Sequence, residues 1–321
     1  MRALVIGATG FIGGAIVRAA VEQGWQVRGT RRDGQHQGAI ADLAAQGRFS
    51  WCYADLNNFD SLVEAMSGCQ VVFHAAGYYP RSSRNATAQI IRARTQMENV
   101  LQAFRRARSD LLVYTSSLST IGRPGEPGRL ADERDVYQLN DLPICYFNVK
   151  IVMEEMALSS RLPVVALCPT AVFGPGDVKP TSGKLFLIVA KGWAFFYPDG
   201  VQDVVDVRDV AASHVRAVER GQVGQRYILG GETMSYREML TVIARVAGRR
   251  PPWLRLPSPM IAQLGRWIAW LGILGGDILQ AVPYWQPLNT SRARRELGHT
   301  SRPFTITAED TLRWFRQHGY L

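Results

Sequence analysis

Short apolar runs alternate with helix-spaced segments along the first half of the chain. Arg2–Ile6, Trp25–Thr30, Phe49–Tyr53, Val71–His74, Leu111–Thr115 and Val164–Leu167 read as strands. Phe11–Val21, Ser61–Met66, Thr87–Ala107 and Tyr146–Ser159 lie between them and carry helical spacing. Strands that are nearly continuous in apolar residues are expected where both sheet faces are covered. Their alternation with helices predicts βαβ units, and so an α/β fold with a doubly wound, mostly parallel sheet.

The texture changes after Pro169. Gly174-Pro175-Gly176, Pro180, Pro198-Asp199-Gly200, Gly230-Gly231, Pro251-Pro252 and Pro257 interrupt shorter elements. Aromatics become dense at Trp193–Tyr197, Trp253, Trp267, Trp270 and Tyr284-Trp285. The pattern divides the chain into residues 1–170, with later returns near 201–230, and a smaller, irregular region over 171–321. The second region is expected over the sheet's carboxyl edge, where open α/β sheets take their ligands.

Composition narrows the picture. With 321 residues, 47% hydrophobic and 20% charged, the chain is neither disordered nor a coiled coil. Lys and Arg number 37 against 27 Asp and Glu, a net charge of +10. The basic clusters Arg28–Arg32, Arg105–Arg108 and Arg292–Arg295 are short and far apart in sequence. That distribution suits scattered surface charge with one phosphate site, and not a nucleic-acid groove. Cys52, Cys69, Cys145 and Cys168 form no CxxC pair and have no His at ligand spacing, so reduced thiols of a cytoplasmic protein are expected and no metal. No signal peptide is visible. The least polar stretch, Trp267 to Gly276, is too short to span a bilayer and reads as a buried or interfacial helix, not an integral membrane segment.

Chemistry enters at the strand ends. Gly7-Ala8-Thr9-Gly10-Phe11-Ile12-Gly13 is G-x-x-G-x-x-G between a strand and a helix. Glycines there permit a tight turn and let backbone approach a pyrophosphate, while the helix start offers free N–H groups and a positive dipole end. Gly7, Thr9, Gly10, Phe11 and Ile12 are therefore candidate dinucleotide contacts. A lone glycine loop also serves ordinary strand–helix turns; its place at the first βα junction, with a second strand ending about 20 residues on, favours the dinucleotide.

The end of that second strand reads the adenosine ribose. An NAD site places an acid there, whereas this chain has Thr30-Arg31-Arg32, with Asp33 only after both arginines. Two guanidinium groups suit a 2′-phosphate, so NADP is expected over NAD. Asp55 and Leu56, after the third strand, are placed for the adenine. Ala75, Ala76 and Gly77, after the fourth, let backbone lie beside the cofactor, and His74 reads as a structural strand-end histidine.

Tyr146 and Lys150 are four apart at the start of a helix and share one face. A phenol is too weak an acid for work at neutral pH, and a nearby ammonium lowers its pKa. Thr115-Ser116-Ser117 ends the preceding strand, where a hydroxyl can hold a substrate oxygen beside the phenol. A surface Tyr and Lys with a buried strand-end Ser is the bland alternative, and the coincidence of all three in a chain with four lysines weighs against it.

Together these segments resemble the extended short-chain dehydrogenase/reductases, the NAD(P)-dependent epimerase/dehydratase family. Phe173-Gly174-Pro175-Gly176-Asp177, Val205-Asp206-Val207-Arg208-Asp209-Val210-Ala211 and the tail from Ala293 to Gly298 with Trp314-Phe315 extend the likeness over nearly the whole chain. Arg28–Arg32 and Arg226-Tyr227-Ile228-Leu229-Gly230-Gly231 make it most similar to the dihydroflavonol-reductase-like and sugar-epimerase-like branch. The resemblance implies an NAD(P)-binding Rossmann fold with a C-terminal substrate region. It implies Ser117 as catalytic hydroxyl, Tyr146 as acid–base, and Lys150 on the nicotinamide ribose. Pro169 to Val172, with Pro169 and Val172 as contacts, would line the nicotinamide side. One departure is that Asn99-Val100-Leu101 is present while the turns before it read Arg92-Ala93-Arg94-Thr95-Gln96-Met97-Glu98, without the family's Asn and Gly-Thr.

Three functions follow as expectations. The first is an NADP-dependent oxidoreductase acting on a carbonyl or secondary alcohol. The second is a nucleotide-sugar epimerase that retains its NAD(P). The third is an NADP-binding regulator without turnover, a class that typically loses the Tyr or Lys. A dehydratase fits less well, because Ser117 is followed by Leu118-Ser119 and not by an acid. The expected partner is a small-molecule substrate, and a homodimer is compatible with the chain.

Overall fold

The computed structural model describes residues 1–32, 38–77, 80, 85–270 and 276–321. In the first half, β1 (Arg2–Ile6) leads through the glycine turn into α1 (Phe11–Glu22), followed by β2 (Gln26–Arg31) and β3 (Phe49–Tyr53). A 3₁₀ stretch, Gly38–Gln46, stands between β2 and β3. Then come α2 (Phe59–Met66), β4 (Val71–His74), α3 (Ala86–Ala107), β5 (Leu111–Thr115), α4 (Cys145–Ser159) and β6 (Val164–Pro169). All six expected strands form, within a residue or two of their expected ends.

Side-chain alternation explains the layers. In β1, Ala3 and Val5 enter one core and Leu4 and Ile6 the other. In β6, Val165 and Leu167 enter the first, and Val164 and Ala166 the second. Both faces of the sheet are therefore buried, as a period of two demands of a central strand. Ile16, Val17, Ala20 and Val21 of α1 cover the first face; Met97, Val100 and Phe104 of α3, with Val149 and Met153 of α4, cover the second.

The second half is more ordered than its Gly and Pro content suggests. It contains β7 (Ala171–Phe173), α5 (Lys184–Ala190), β8 (Phe196–Pro198), β9 (Val201–Asp206), α6 (Val207–Arg220) and β10 (Arg226–Leu229). After these come β11 (Glu232–Ser235), α7 (Tyr236–Ala247), β12 (Leu254–Leu256), α8 (Ser258–Trp270), α9 (Gly276–Ala281), α10 (Ser291–Leu297) and α11 (Phe304–Gln317). The glycines and prolines sit at the joints: Gly248 closes α7 at φ +66°, and Pro257 precedes α8. Of the stretch from Trp267 to Gly276, residues 271–275 lie outside the described residues, and Trp267 itself is exposed. Among the described residues no helix is long and apolar enough to cross a membrane.

Seven parallel strands form the main sheet in the order β10-β6-β5-β4-β1-β2-β3. The chain runs outward from β1 to β3, then crosses back to start β4 on the other side of β1. That reversal leaves a crevice at the carboxyl ends of β1 and β4, where Ile6 and His74 stand level. Two small sheets, β11-β9-β7 and β12-β8, belong to the C-terminal half. They pack around a separate core that includes Phe173, Phe186, Val204, Ile243, Phe304 and Phe315.

Candidate active site

The crevice is built by glycines that no other residue replaces. Gly7 leaves β1 at φ +91°, and a Cβ there would meet the Ala76 nitrogen at 2.8 Å. A Cβ on Gly13 would lie 2.1 Å from the Gly7 carbonyl oxygen, so the helix can start this close only without one. Gly10 N–H closes the turn onto that same oxygen at 2.9 Å, and Thr30 Oγ accepts from Gly7 N–H at 3.1 Å. No side chain caps α1 and no acid sits in its first turn. Its first N–H groups, with Thr9, Phe11 and Ile12 around them, are left to an anion. Turn, helix start and strand ends thus fit a dinucleotide pyrophosphate.

The ends of β2 and β3 divide the basic cluster. Arg28 donates to the Ala65 carbonyl at 2.9 Å and so closes the end of α2. Arg31 and Arg32 stay at the carboxyl end, with the Arg31 guanidinium 5.1 Å from the Trp51 ring centroid and Arg32 exposed. Asp33 lies outside the described residues. Asp55 Oδ1 accepts from Asn57 N–H and Nδ2, both at 2.8 Å, so part of its capacity holds its own turn. Asn99 donates to the Leu56 carbonyl at 2.8 Å and Gln96 donates to Asn57 at 3.0 Å, which anchors this loop from α3.

The three expected catalytic groups come from two elements. Ser117 follows β5, and Tyr146 and Lys150 lie on α4. Tyr146 Oη donates to Ser117 Oγ at 3.2 Å, and Ser119 N–H also donates to that oxygen at 3.2 Å. With both accepted, the Ser117 hydroxyl keeps its own proton for another acceptor. Burial pushes the Tyr146 phenol above its ordinary value, and hydrogen bonds with Ser117 and Ser119 oppose the shift. The polypeptide alone therefore does not lower this phenol, contrary to the expectation from the Lys150 spacing: desolvation outweighs what lowers it.

Lys150 sits deeper. A Cβ on Gly77 would lie 3.3 Å from its Nζ, and the Tyr114 ring centroid is 5.9 Å away. Burial brings its pKa down to about 8, opposed by the negative charge of Glu154. His74 beside it is fully buried, neither ring nitrogen has a partner among the described residues, and burial with the Lys150 charge brings its pKa down to about 3. It stays neutral, as a structural strand-end residue should. Ser116 Oγ and Thr170 Oγ1 are also buried without partners, at the ends of β5 and β6, next to Ser117 and to the Pro169–Val172 turn. This end of the crevice thus offers polar atoms that no described residue satisfies.

Beneath the site runs a polar network that the sequence did not reveal. Glu154, one turn beyond Lys150, pairs with Arg226 of β10, and both are buried. Glu154 Oε2 lies 3.0 Å from Thr120 Oγ1 and 3.2 Å from Cys168 Sγ, while Thr120 Oγ1 lies 2.9 Å from the Ser117 carbonyl. Arg226 also donates to the Glu133 and Asp135 carbonyls at 2.9 and 2.6 Å. The helix carrying Tyr146 and Lys150 is so tied to the turn carrying Ser117. Above it, Phe147 stacks on Trp285 at 5.2 Å, bringing the C-terminal half onto the same helix. All four cysteines are free, and no metal-holding group of side chains occurs among the described residues.

A model of the NAD dependent epimerase/dehydratase family matches residues 3–230, and the chain belongs to that family. It is an NAD(P)-dependent enzyme of the reductase/epimerase type. It is 31% identical to the putative dihydroflavonol 4-reductase of Synechocystis sp. (strain ATCC 27184 / PCC 6803 / Kazusa), over 99% of this chain and 95% of that one. Among solved structures it is similar to gox2253, with a TM-score of 0.86, 30% identity and 99% of both chains covered. It also resembles PA4631, a nucleoside-diphosphate-sugar epimerase from Pseudomonas aeruginosa, with a TM-score of 0.83 and 26% identity over 100% of this chain and 99% of that one.

Proposed function

We propose that this protein is an NADP-dependent reductase that passes a hydride between nicotinamide and a carbonyl or secondary alcohol carbon. Ser117, Tyr146 and Lys150 are its catalytic set. The observation that carries the reading is the Tyr146–Ser117 hydrogen bond of 3.2 Å at the sheet's carboxyl edge, one helical turn from a buried ammonium. Gly7, Thr9, Gly10, Phe11 and Ile12 would hold the pyrophosphate, Asp55 and Leu56 the adenine, and Ala75, Ala76, Gly77, Pro169 and Val172 the nicotinamide half. The bound cofactor supplies the hydride.

The protein's own groups handle the oxygen and its proton. Ser117 holds the carbonyl oxygen, and Tyr146 gives it the proton that completes the alcohol. A phenol pushed up by burial is loaded with that proton at neutral pH, which suits reduction. The phenolate left behind lies one helical turn from the Lys150 ammonium, which would also bind the ribose and return positive charge where negative charge develops. Arg31 and Arg32, adjacent in sequence at the end of β2, support NADP, because two guanidinium groups suit a 2′-phosphate.

The second reading, a nucleotide-sugar epimerase, is supported by the likeness to PA4631. One experiment separates them. Purified protein is assayed for NADPH oxidation with aromatic ketones and with nucleotide sugars, and its bound nucleotide is measured after release by acid. NADPH consumption with a ketone and little retained cofactor is expected. Epimerisation of a sugar with tightly retained cofactor would replace this reading with the second.

A further inference from the structure

In the C-terminal half, the edge of the two-stranded sheet exposes a group of large apolar side chains. Trp193 is 65% exposed, Phe195 55% and Trp253 76%, with Ile188 and Leu254 also exposed. Backbone contacts hold them side by side. Trp193 N–H donates to the Ile188 carbonyl at 3.0 Å, and Trp253 and Leu254 N–H both donate to the Phe195 carbonyl, at 3.2 and 3.0 Å. The chain continues through Pro257 into α8, whose exposed Met260, Leu264 and Trp267 follow helical spacing.

Cations surround this edge. Lys191 lies 5.3 Å from the Trp193 ring centroid, and Arg249 reaches the Ala190 carbonyl at 2.8 Å. Arg250 and Lys184 are exposed, and three of the chain's four lysines fall at positions 179, 184 and 191. Acids are missing: residues 178–198 and 239–276 contain no Asp or Glu. With 27 acids in 321 residues, about five would fall there at the chain's average frequency, so the balance of charge is local.

We propose that this edge docks on the surface of an anionic lipid bilayer. Tryptophan combines an apolar body with a polar N–H and is favoured at the level of the headgroups. Arginine and lysine beside it are attracted to anionic lipid, by about fivefold in affinity for each charge near the surface. A second copy of this chain fits less well, because a two-fold interface would set these cations against each other, while the nearby Asp199 is already paired with Arg255.

The test is co-sedimentation with vesicles of phosphatidylcholine alone and of phosphatidylcholine with about one-third phosphatidylglycerol. Binding to the anionic vesicles at low salt is expected, at least tenfold weaker on neutral vesicles and in high salt. Trp193→Ser with Trp253→Ser, and separately Arg249→Glu with Arg250→Glu, should each weaken it at least tenfold while NADPH affinity stays at the parental value. Equal binding to both vesicles, none to either, or no effect of the variants overturns the proposal. So does a concentration-dependent dimer of the parent that the tryptophan variant dissolves.

Discussion

Lys150 and Lys191 carry the same ammonium into opposite surroundings. Lys150 lies inside the molecule, against Gly77 and the Tyr114 ring, and burial brings its pKa down to about 8. Lys191 lies in solvent over the Trp193 ring, in a stretch with no acid to pair with it. Beneath the first, the Glu154 carboxylate is answered at short range by Arg226. Around the second, charge is left to act at a distance, where salt screens it. The buried arrangement controls where one proton sits; the exposed one controls which surface approaches.

The sharpest break is at the phenol. Tyr146→Phe removes one hydroxyl and leaves the packing against Phe147. Positioned proton transfer is worth about 10²–10⁴-fold, so kcat should fall by that much on a verified substrate, with NADPH affinity nearly unchanged. A variant that kept most of its turnover would remove the catalytic set and reopen the reading as a cofactor-binding regulator.

The buried pair beneath the site comes next. Glu154→Ala leaves the Arg226 guanidinium buried without its carboxylate, which costs about 3–5 kcal/mol of stability, read from urea unfolding. Asp42→Ala breaks an exposed pair with Arg18 and should cost about 1 kcal/mol or less. Similar losses in the two variants would show that burial does not set the difference.

This contrast also explains what could be read in the sequence. The glycine turn, Ser117, and Tyr146 with Lys150 were legible because each is a local requirement: a left-handed Gly7, a strand end, two residues on one helix face. Arg226 and Glu154 lie 72 residues apart. An acid on a helix looks like a solvent-facing residue until the sheet that covers it is known. α4 is covered along most of its length, so Glu154 had no polar face to betray it. In the C-terminal half, glycines and prolines looked like interruptions but stand at the joints of ordered helices. The exposed aromatic edge was hidden differently: its tryptophans suit a core equally well, and charge totals over the whole chain conceal two acid-free stretches.

Cofactor choice should move less than turnover. Replacing Arg31 and Arg32 together by neutral residues should raise the Michaelis constant for NADP by about tenfold or more, as expected from hydrogen bonds to a charged phosphate worth about 1.5–3 kcal/mol each. The constant for NAD should change little. Equal losses for both cofactors would mean that the two arginines support the loop and do not read the phosphate.

A last test asks whether burial alone sets the proton affinities around the crevice. His74 has a pKa near 3 in the folded protein, against 6.5 for an unburied histidine. The unfolded chain therefore takes up a proton as pH falls through 6.5, while the folded chain does not. Stability tied to His74 is present above pH 6.5 and is lost as pH falls from there toward 3, by up to about 1.4 kcal/mol per pH unit. His214, brought down to about 4 mainly by burial, adds a similar slope and keeps its bonds to Thr115 and the Val210 carbonyl. In His74→Leu the first slope disappears and the second remains. Because neither His74 nitrogen has a partner among the described residues, the change removes no hydrogen bond to any of them. Urea unfolding between pH 6.5 and 4.5 should thus lose stability more slowly in the variant by about 1.4 kcal/mol per pH unit. Parallel pH profiles would mean that the His74 ring finds water or a partner on protonation, and that the crevice floor is not as dry as Lys150 requires.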